Sequence, residues 1–523
     1  GGVSGAIDFA LMPQIHTRSF FLMVLLALPL AGCSQPKYQP SGDPILDLRN
    51  PDLTERKRLD AADVAWGEAE GGVRDLGESR QAFKDLAWSQ STPLPIRQRL
   101  VSLLMSDTSE AGAEDSRRLA ALMLPRETER SIVAILASTA GTRGWKDLTP
   151  ALVRSYARPV EDVDDSIRTE RAALRDLHPG RSIEEVVFDV FIDPGEGPGR
   201  EGFRWAERAR ADAWELLSRL DPEGAVRTTL LTTSLSTGGM NEQTSEMVGD
   251  LRRCLHDMGA IPRTAMELEW MRSLLRATDA EQRDLNEAWW SQTSGAVGSL
   301  TGERRNGLEL RHLEPIRWAG ENRPEWLRAS REELLGALDQ RLLRRETHRR
   351  TKELGVSRGV GLYRYRDWRA SLDWADALTL LVIDEALAST EVRARLFQYA
   401  RADRDDRKTE YGGTLEARGV TSAGEAGFRL ILFRPRASDR RDDNRFVASE
   451  DMLRYSDRAL AHYHMHVQKA RNGKYAGPSE EDLRYATRSG RTCLVFTSLG
   501  ADRMNVDVYA PDGTLIDLGE VSR

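Results

Sequence analysis

Three histidines recur at every second position, His462, His464 and His466, and Ser479-Glu480-Glu481-Asp482 follows them. These are the residues whose types and spacing could do chemistry. If residues 459–466 are a strand, side chains alternate between its faces and all three imidazoles project from one face. Two imidazoles from a strand and a carboxylate from the next helix make three ligands. A tetrahedral ion held this way keeps its fourth position open, the pattern of a catalytic rather than a structural zinc site. Such an ion acidifies water at neutral pH. Moving that proton to a leaving amine calls for a carboxylate within hydrogen-bond reach but outside the coordination shell. Glu410, in Glu410-Tyr411-Gly412-Gly413, stands at the start of a neighbouring strand pattern.

Each piece has a plainer reading. Pro478-Ser479 followed by three acids describes a capped helix N-terminus, and His-x-His alone describes surface or core histidines as well. Only the combination, in one order inside one domain, points to a metal.

The elements that must position these residues begin near residue 378. A helix over 385–402 leads to strand character at 409–415, with further strands at 430–433 and 444–447. A short helix at 450–455 precedes the histidine strand. A helix from Ser479 to about residue 488 and strands at 492–498, 504–509 and 514–518 complete the domain, with Asp512-Gly513 as the last hairpin turn. The expectation is an α/β domain with a mostly antiparallel sheet.

The order helix, Glu-x-Gly-Gly, strands, His-x-His, Ser-x-x-Asp on a helix resembles the JAMM metallopeptidase family over residues 378–523. The resemblance implies that His464, His466 and Asp482 hold zinc, that Glu410 handles the water proton, and that Ser479 steadies the tetrahedral intermediate. Two departures stand out. Val467 replaces the family's usual proline, and the stretch Val467 to Pro478 is longer than the family's spacing. The longer stretch leaves Glu480 or Glu481 open as the third ligand in place of Asp482, and His462 open as a ligand or a neighbour of the metal.

The rest of the chain reads as what anchors or feeds this site. The 523 residues allow two to four domains, and the net charge of −7, with no domain-wide basic excess, argues against nucleic-acid binding. Cys33, Cys254 and Cys493 lie too far apart for a disulfide framework or a CxxC metal motif. Cys33 closes Leu30-Ala31-Gly32-Cys33 after a basic start and a short apolar run. That run is shorter than the roughly 20 residues of a membrane span and fits a secretory signal. It resembles the lipobox of bacterial lipoproteins, with residues 1–32 as signal region (start at Met12), Cys33 as the lipidated residue, and an envelope location, Ser34 favouring the outer membrane. A tether is expected over 33–50, a helical, HEAT-like or irregularly bundled region over 51–306 with a break at 291–306, and a helical connector over 307–377.

Gly197 to Gly202 matches GxGxxG after the apolar run 186–192, but no βαβ pattern surrounds it and a plain loop is the better reading. Arg344, Arg345, Arg349 and Arg350 end a helix expected over 330–353. They read as a solvated face or, less readily, a docking surface for anionic lipid. The functional expectation is a lipid-anchored envelope zinc peptidase or isopeptidase acting on protein or peptide substrates. The alternative is a non-enzymatic scaffold whose helical region binds a protein partner.

Overall fold

The computed structural model describes residues 40–160, 163–197, 202–233, 240–348, 363–418, 427–438, 440 and 446–523. The signal region and Cys33 lie outside the described residues. The architecture is a long helical region followed by an α/β domain with a six-stranded, mostly antiparallel sheet. The described residues fall into two compact units, divided between Arg99 and Leu100. The expected borders at 306 and 377 therefore fall inside one unit.

In the first unit, helices Pro44–Arg49, Glu55–Glu70 and Leu76–Trp88 start at Asp43, Thr54 and Asp75, whose side chains accept from the first-turn N–H groups. The expected tether thus ends before Asp43. Leu48 is fully buried, and Trp66 stacks on Phe83 at 5.5 Å. Asp43-Pro44 is a capped helix start with Pro in the first turn, not a linker.

In the second unit, helix follows helix to Arg328, and Ser109, Ser182, Asn241, Thr264 and Asp279 cap helix starts with their side chains. The run at 186–192 belongs to helix Ile183–Ile192, so no strand precedes Gly197, as a dinucleotide fold would need. The break expected at 291–306 is displaced. Helix Ala280–Gly298 runs through it because Thr293 Oγ1 donates to Trp289 O and Val297 is buried. Helix Arg331–Leu342 is shorter than expected, and Arg345 pairs with Asp384 at 2.6 Å instead of joining a basic face. Arg349 and Arg350 lie outside the described residues. No helix among the described residues is long and apolar enough to cross a membrane.

The expected 385–402 helix is two, Trp374–Ala388 and Thr390–Asp405, because Ser389 caps the second. Strands β1 (Gly412–Arg418), β2 (Gly427–Phe433), β3 (Ala461–His466), β4 (Cys493–Ser498), β5 (Arg503–Tyr509) and β6 (Leu515–Ser522) form a sheet in the order β2-β1-β3-β4-β5-β6. Of the expected strand at 444–447, only 446 and 447 are described, and they are not in a strand. All neighbours are antiparallel except β3 and β4. A parallel pair needs a crossover connection, and helix Glu480–Ser489 supplies it. The sheet topology thereby sets the start of that helix against the face of β3 that carries the histidines.

Within the second unit, helices are fastened to the sheet. Trp270 Nε1 donates to Asp457 O, Ser273 Oγ donates to Asp457 Oδ2 at 2.6 Å, and the Arg491 guanidinium lies 3.5 Å from the centre of the Trp270 ring. Trp318 packs on Phe428 of β2 at 5.1 Å. On the same helix as Trp270, buried Glu267 accepts the N–H groups of Arg263 and Thr264.

Burial, with Glu309 adding, pushes the Glu267 carboxyl from 4.5 up to about 7. The folded protein thus holds this proton more tightly than the unfolded chain. The stabilisation is full below pH 4.5 and is lost as pH rises through about 7. Glu267→Gln is expected to flatten the decline of stability across that window by about 3 kcal/mol, read from denaturant midpoints at several pH values. An unchanged slope would show that Glu267 titrates normally.

Candidate metal centre

His464 and His466 project from the same face of β3, and their Nε2 atoms lie 3.2 Å apart. That is hydrogen-bond distance, with His464 Nε2 able to donate to His466 Nε2, and it is also the spacing of two ligand atoms on one ion. A tetrahedral ion with bonds of about 2.0–2.1 Å holds its ligand atoms about 3.3 Å apart. Asp482 Oδ2 stands 3.4 Å from His464 Nε2, again the edge of such a polyhedron. Glu410 approaches the pair as well: one ligand atom each from Glu410, His464 and His466 lie within 4.8 Å of one another. The donor set suits a borderline ion that takes imidazole and carboxylate.

Neighbours fix both rings. His466 Nδ1 lies 2.9 Å from Tyr475 O, so it carries the proton and leaves Nε2 a lone pair. His464 stacks on Phe446, with ring centres 5.6 Å apart and planes 12° from parallel, and its Nδ1 lies 3.4 Å from the Tyr509 hydroxyl. The glycines of Glu-x-Gly-Gly make the room. Gly412 pairs with His464 across β1 and β3, and a Cβ there would sit 2.3 Å from the Phe446 ring and 2.5 Å from Tyr463 O. At Gly413 a Cβ would come within 1.8 Å of Ile431 O in β2. Gly413→Ala is expected to cost about 3 kcal/mol, at the upper end of overpacking effects because backbone must move. Urea unfolding measures it, and a loss under half that size would mean the strand shifts freely.

Ser479 is the N-cap of helix Glu480–Ser489. Its Oγ accepts from the Asp482 N–H, and Asp482 Oδ2 accepts from the Ser479 N–H at 2.6 Å and from Ser479 Oγ at 2.8 Å. The plainer reading of Ser-x-x-Asp is thus present, and the same carboxylate oxygen also faces His464. Glu480 pairs instead with Arg484. Asp482, in the same first turn, is ion-paired with His464.

The two carboxyls differ sharply. Burial would raise Asp482, but His464, then His466 and the Ser479 N–H, hold it well below the ordinary carboxylate range. Burial pushes Glu410 up to about 8, His464 pulling against this while Asp482 and Asp403 add to it. Burial would lower His464, yet Asp482 and then Glu410 outweigh it and hold its pKa above the usual value. A dication at the imidazoles would draw Glu410 back toward ionisation.

His462 shares the face but not the cluster. Its Nδ1 lies 2.7 Å from the Tyr485 hydroxyl, burial holds it neutral, and its Nε2 is buried with no hydrogen-bond partner among the described residues. The stretch Val467 to Pro478 proves to be a support for the site. It brings Tyr475 O to His466, and it brings Gln468, whose amide donates to Glu410 Oε1 at 2.6 Å. Continuing the alternation of His462, His464 and His466 by one step reaches Gln468, a signal that was available in the sequence. Phe446 and Tyr509 had no such signal, since only the folded sheet brings them to His464.

The cluster opens into a groove of 1590 Å³. Phe446, Val447 and Leu453 line it beside the imidazoles, and Pro159 and Met266 reach it from the helical region. A second group, His312 with Asp373 and Asp376, could by proximity hold an ion. There the Glu309 N–H donates to His312 Nδ1, which leaves the proton on Nε2 facing Asp376, and Arg311 already pairs with Asp376 at 2.8 Å. That group is a satisfied ion network.

No family model matches the chain, and no curated protein or solved structure matches it either.

Proposed function

We propose that this protein is a metal-dependent peptidase or isopeptidase, with zinc held by His464, His466 and Asp482. The carrying observation is the convergence of His464 Nε2 and His466 Nε2 at 3.2 Å beside a buried carboxyl, Glu410, and a half-buried one, Asp482, of opposite ionisation tendency, within the groove. An ionised Asp482 suits a ligand, and a Glu410 that readily takes up a proton suits a general base. When bound, the ion supplies Lewis acidity that polarises an amide carbonyl and acidifies water.

The chain's own residues do the rest. Glu410 accepts a proton from the attacking water and delivers it to the amide nitrogen as the C–O bond forms and the C–N bond breaks. Ser479, at a helix N-terminus beside the groove, donates to the developing oxyanion by turning its hydroxyl from Asp482 to the substrate. The volume of the groove and its apolar wall suit an extended peptide segment. A lipid anchor at Cys33 and an envelope location rest on the sequence motif alone. A protein partner at the helical region rests on the helical patterning of the sequence.

The test is elemental analysis with a peptide-library cleavage assay. About one zinc per chain is expected by analogy with three-ligand catalytic sites, together with cleavage that a chelator stops and zinc restores. His464→Ala and His466→Ala should lose both metal and cleavage. A metal-free protein that folds normally and cleaves nothing would favour the scaffold reading instead.

A further inference from the structure

Glu410 lies close enough to both imidazoles to become a ligand itself, and a carboxylate that binds the ion can no longer serve as the base. Something must keep it apart. Gln468 Nε2 donates to Glu410 Oε1 at 2.6 Å, and the orientation of that amide is settled by its other end, where Asn472 Nδ2 donates to Gln468 Oε1 at 2.7 Å. A side-chain amide with its oxygen so engaged must turn its NH₂ to Glu410. Asn472 is itself fixed: it is buried, its N–H donates to Ser498 O at the end of β4 at 2.7 Å, and its Nδ2 also reaches His466 O at 3.2 Å. The relay therefore runs from the sheet backbone through Asn472 and Gln468 to one oxygen of Glu410.

We propose that Gln468 is a positioning residue that holds Glu410 as base and keeps it out of the metal's coordination shell; this rests on the metal-centre reading above. An amide competing for one carboxylate oxygen supplies a charge-assisted hydrogen bond that the carboxyl would have to give up before swinging to the ion. The stretch Val467 to Pro478, longer than the resembled family's, is what delivers this amide.

Cobalt(II) is the probe, because its d–d absorption reports the number and type of ligands. Wild-type protein, freed of metal and loaded with one equivalent of cobalt(II), gives the reference spectrum. In Gln468→Leu the bands are expected to weaken and shift as Glu410 joins the shell, with kcat reduced at least tenfold and KM within twofold. Gln468→His, which keeps an N–H of similar reach, should restore the wild-type bands and most of kcat. The double variant Glu410→Gln/Gln468→Leu should also return to the wild-type spectrum, since the intruding ligand is gone.

A cobalt spectrum unchanged in Gln468→Leu overturns the proposal whatever its kcat, and so does a shift that persists in the double variant. Failure of the underlying reading looks different. Wild-type protein would then show no d–d bands, or bands that survive His464→Ala.

Discussion

Glu410→Gln is expected to bind zinc as tightly as the wild type and to lose turnover, with kcat lower by on the order of 10²–10⁴-fold, the range for removal of a general acid–base group. The substitution is isosteric, and Glu410 is a buried side chain at the entry to β1, so the fold has little reason to change. What changes is the capacity to take a proton from water and hand it to the amine. A glutamine also has an NH₂ that would face the Gln468 amide, so its oxygen must turn to Gln468. That leaves the variant with a donor where the reaction needs an acceptor. The measurement is kcat and KM on a cleaved library peptide, beside zinc content and thermal midpoint. Turnover within tenfold of wild type at full zinc occupancy would remove Glu410 from the mechanism and pass the proton to another group.

The parts of this site that were legible in the sequence are those governed by local periodicity. Alternation put His464 and His466 on one face because a strand offers two faces only. Ser479 and Asp482 announced a helix start through the reciprocal hydrogen bonds of a capping box, which is fully formed. Asp512-Gly513 marked the last hairpin, where Gly513 takes a φ of 87°.

Readings failed where tertiary packing overrode local preference. A stretch rich in Gly, Ser and Thr at 291–298 stays helical because Val297 is buried and the hydroxyls of Thr293 and Ser294 return to the backbone. One serine, Ser389, divides a continuous apolar pattern by capping a new helix. The stretch Val467 to Pro478 looked like a complication because sequence shows spacing and not direction. In the fold it returns to β4 through Asn472 and presents one carbonyl and one amide to the site.

Supplying zinc to metal-free protein is expected to raise its stability by about 4 kcal/mol at a free concentration a thousand times Kd, since an ion that binds only the folded state stabilises it by mass action. The histidine nitrogens come from one strand and the carboxylate from the crossover helix, so the ion would tie those two elements together. His464→Ala or His466→Ala should abolish the increment.

Asp482 and Ser479 separate the two tasks that share one carboxylate. Ser479→Ala removes the cap and should lower stability by about 1 kcal/mol with and without zinc, leaving the increment intact. Asp482→Asn keeps an oxygen to accept the Ser479 N–H, so the metal-free protein should melt near wild type while the increment falls by more than half. Denaturant midpoints of each variant, measured with a chelator and with buffered zinc, give all of these values. If Asp482→Asn retained the full increment, Asp482 would be a helix cap and nothing more, and the third ligand would have to be sought at Glu410.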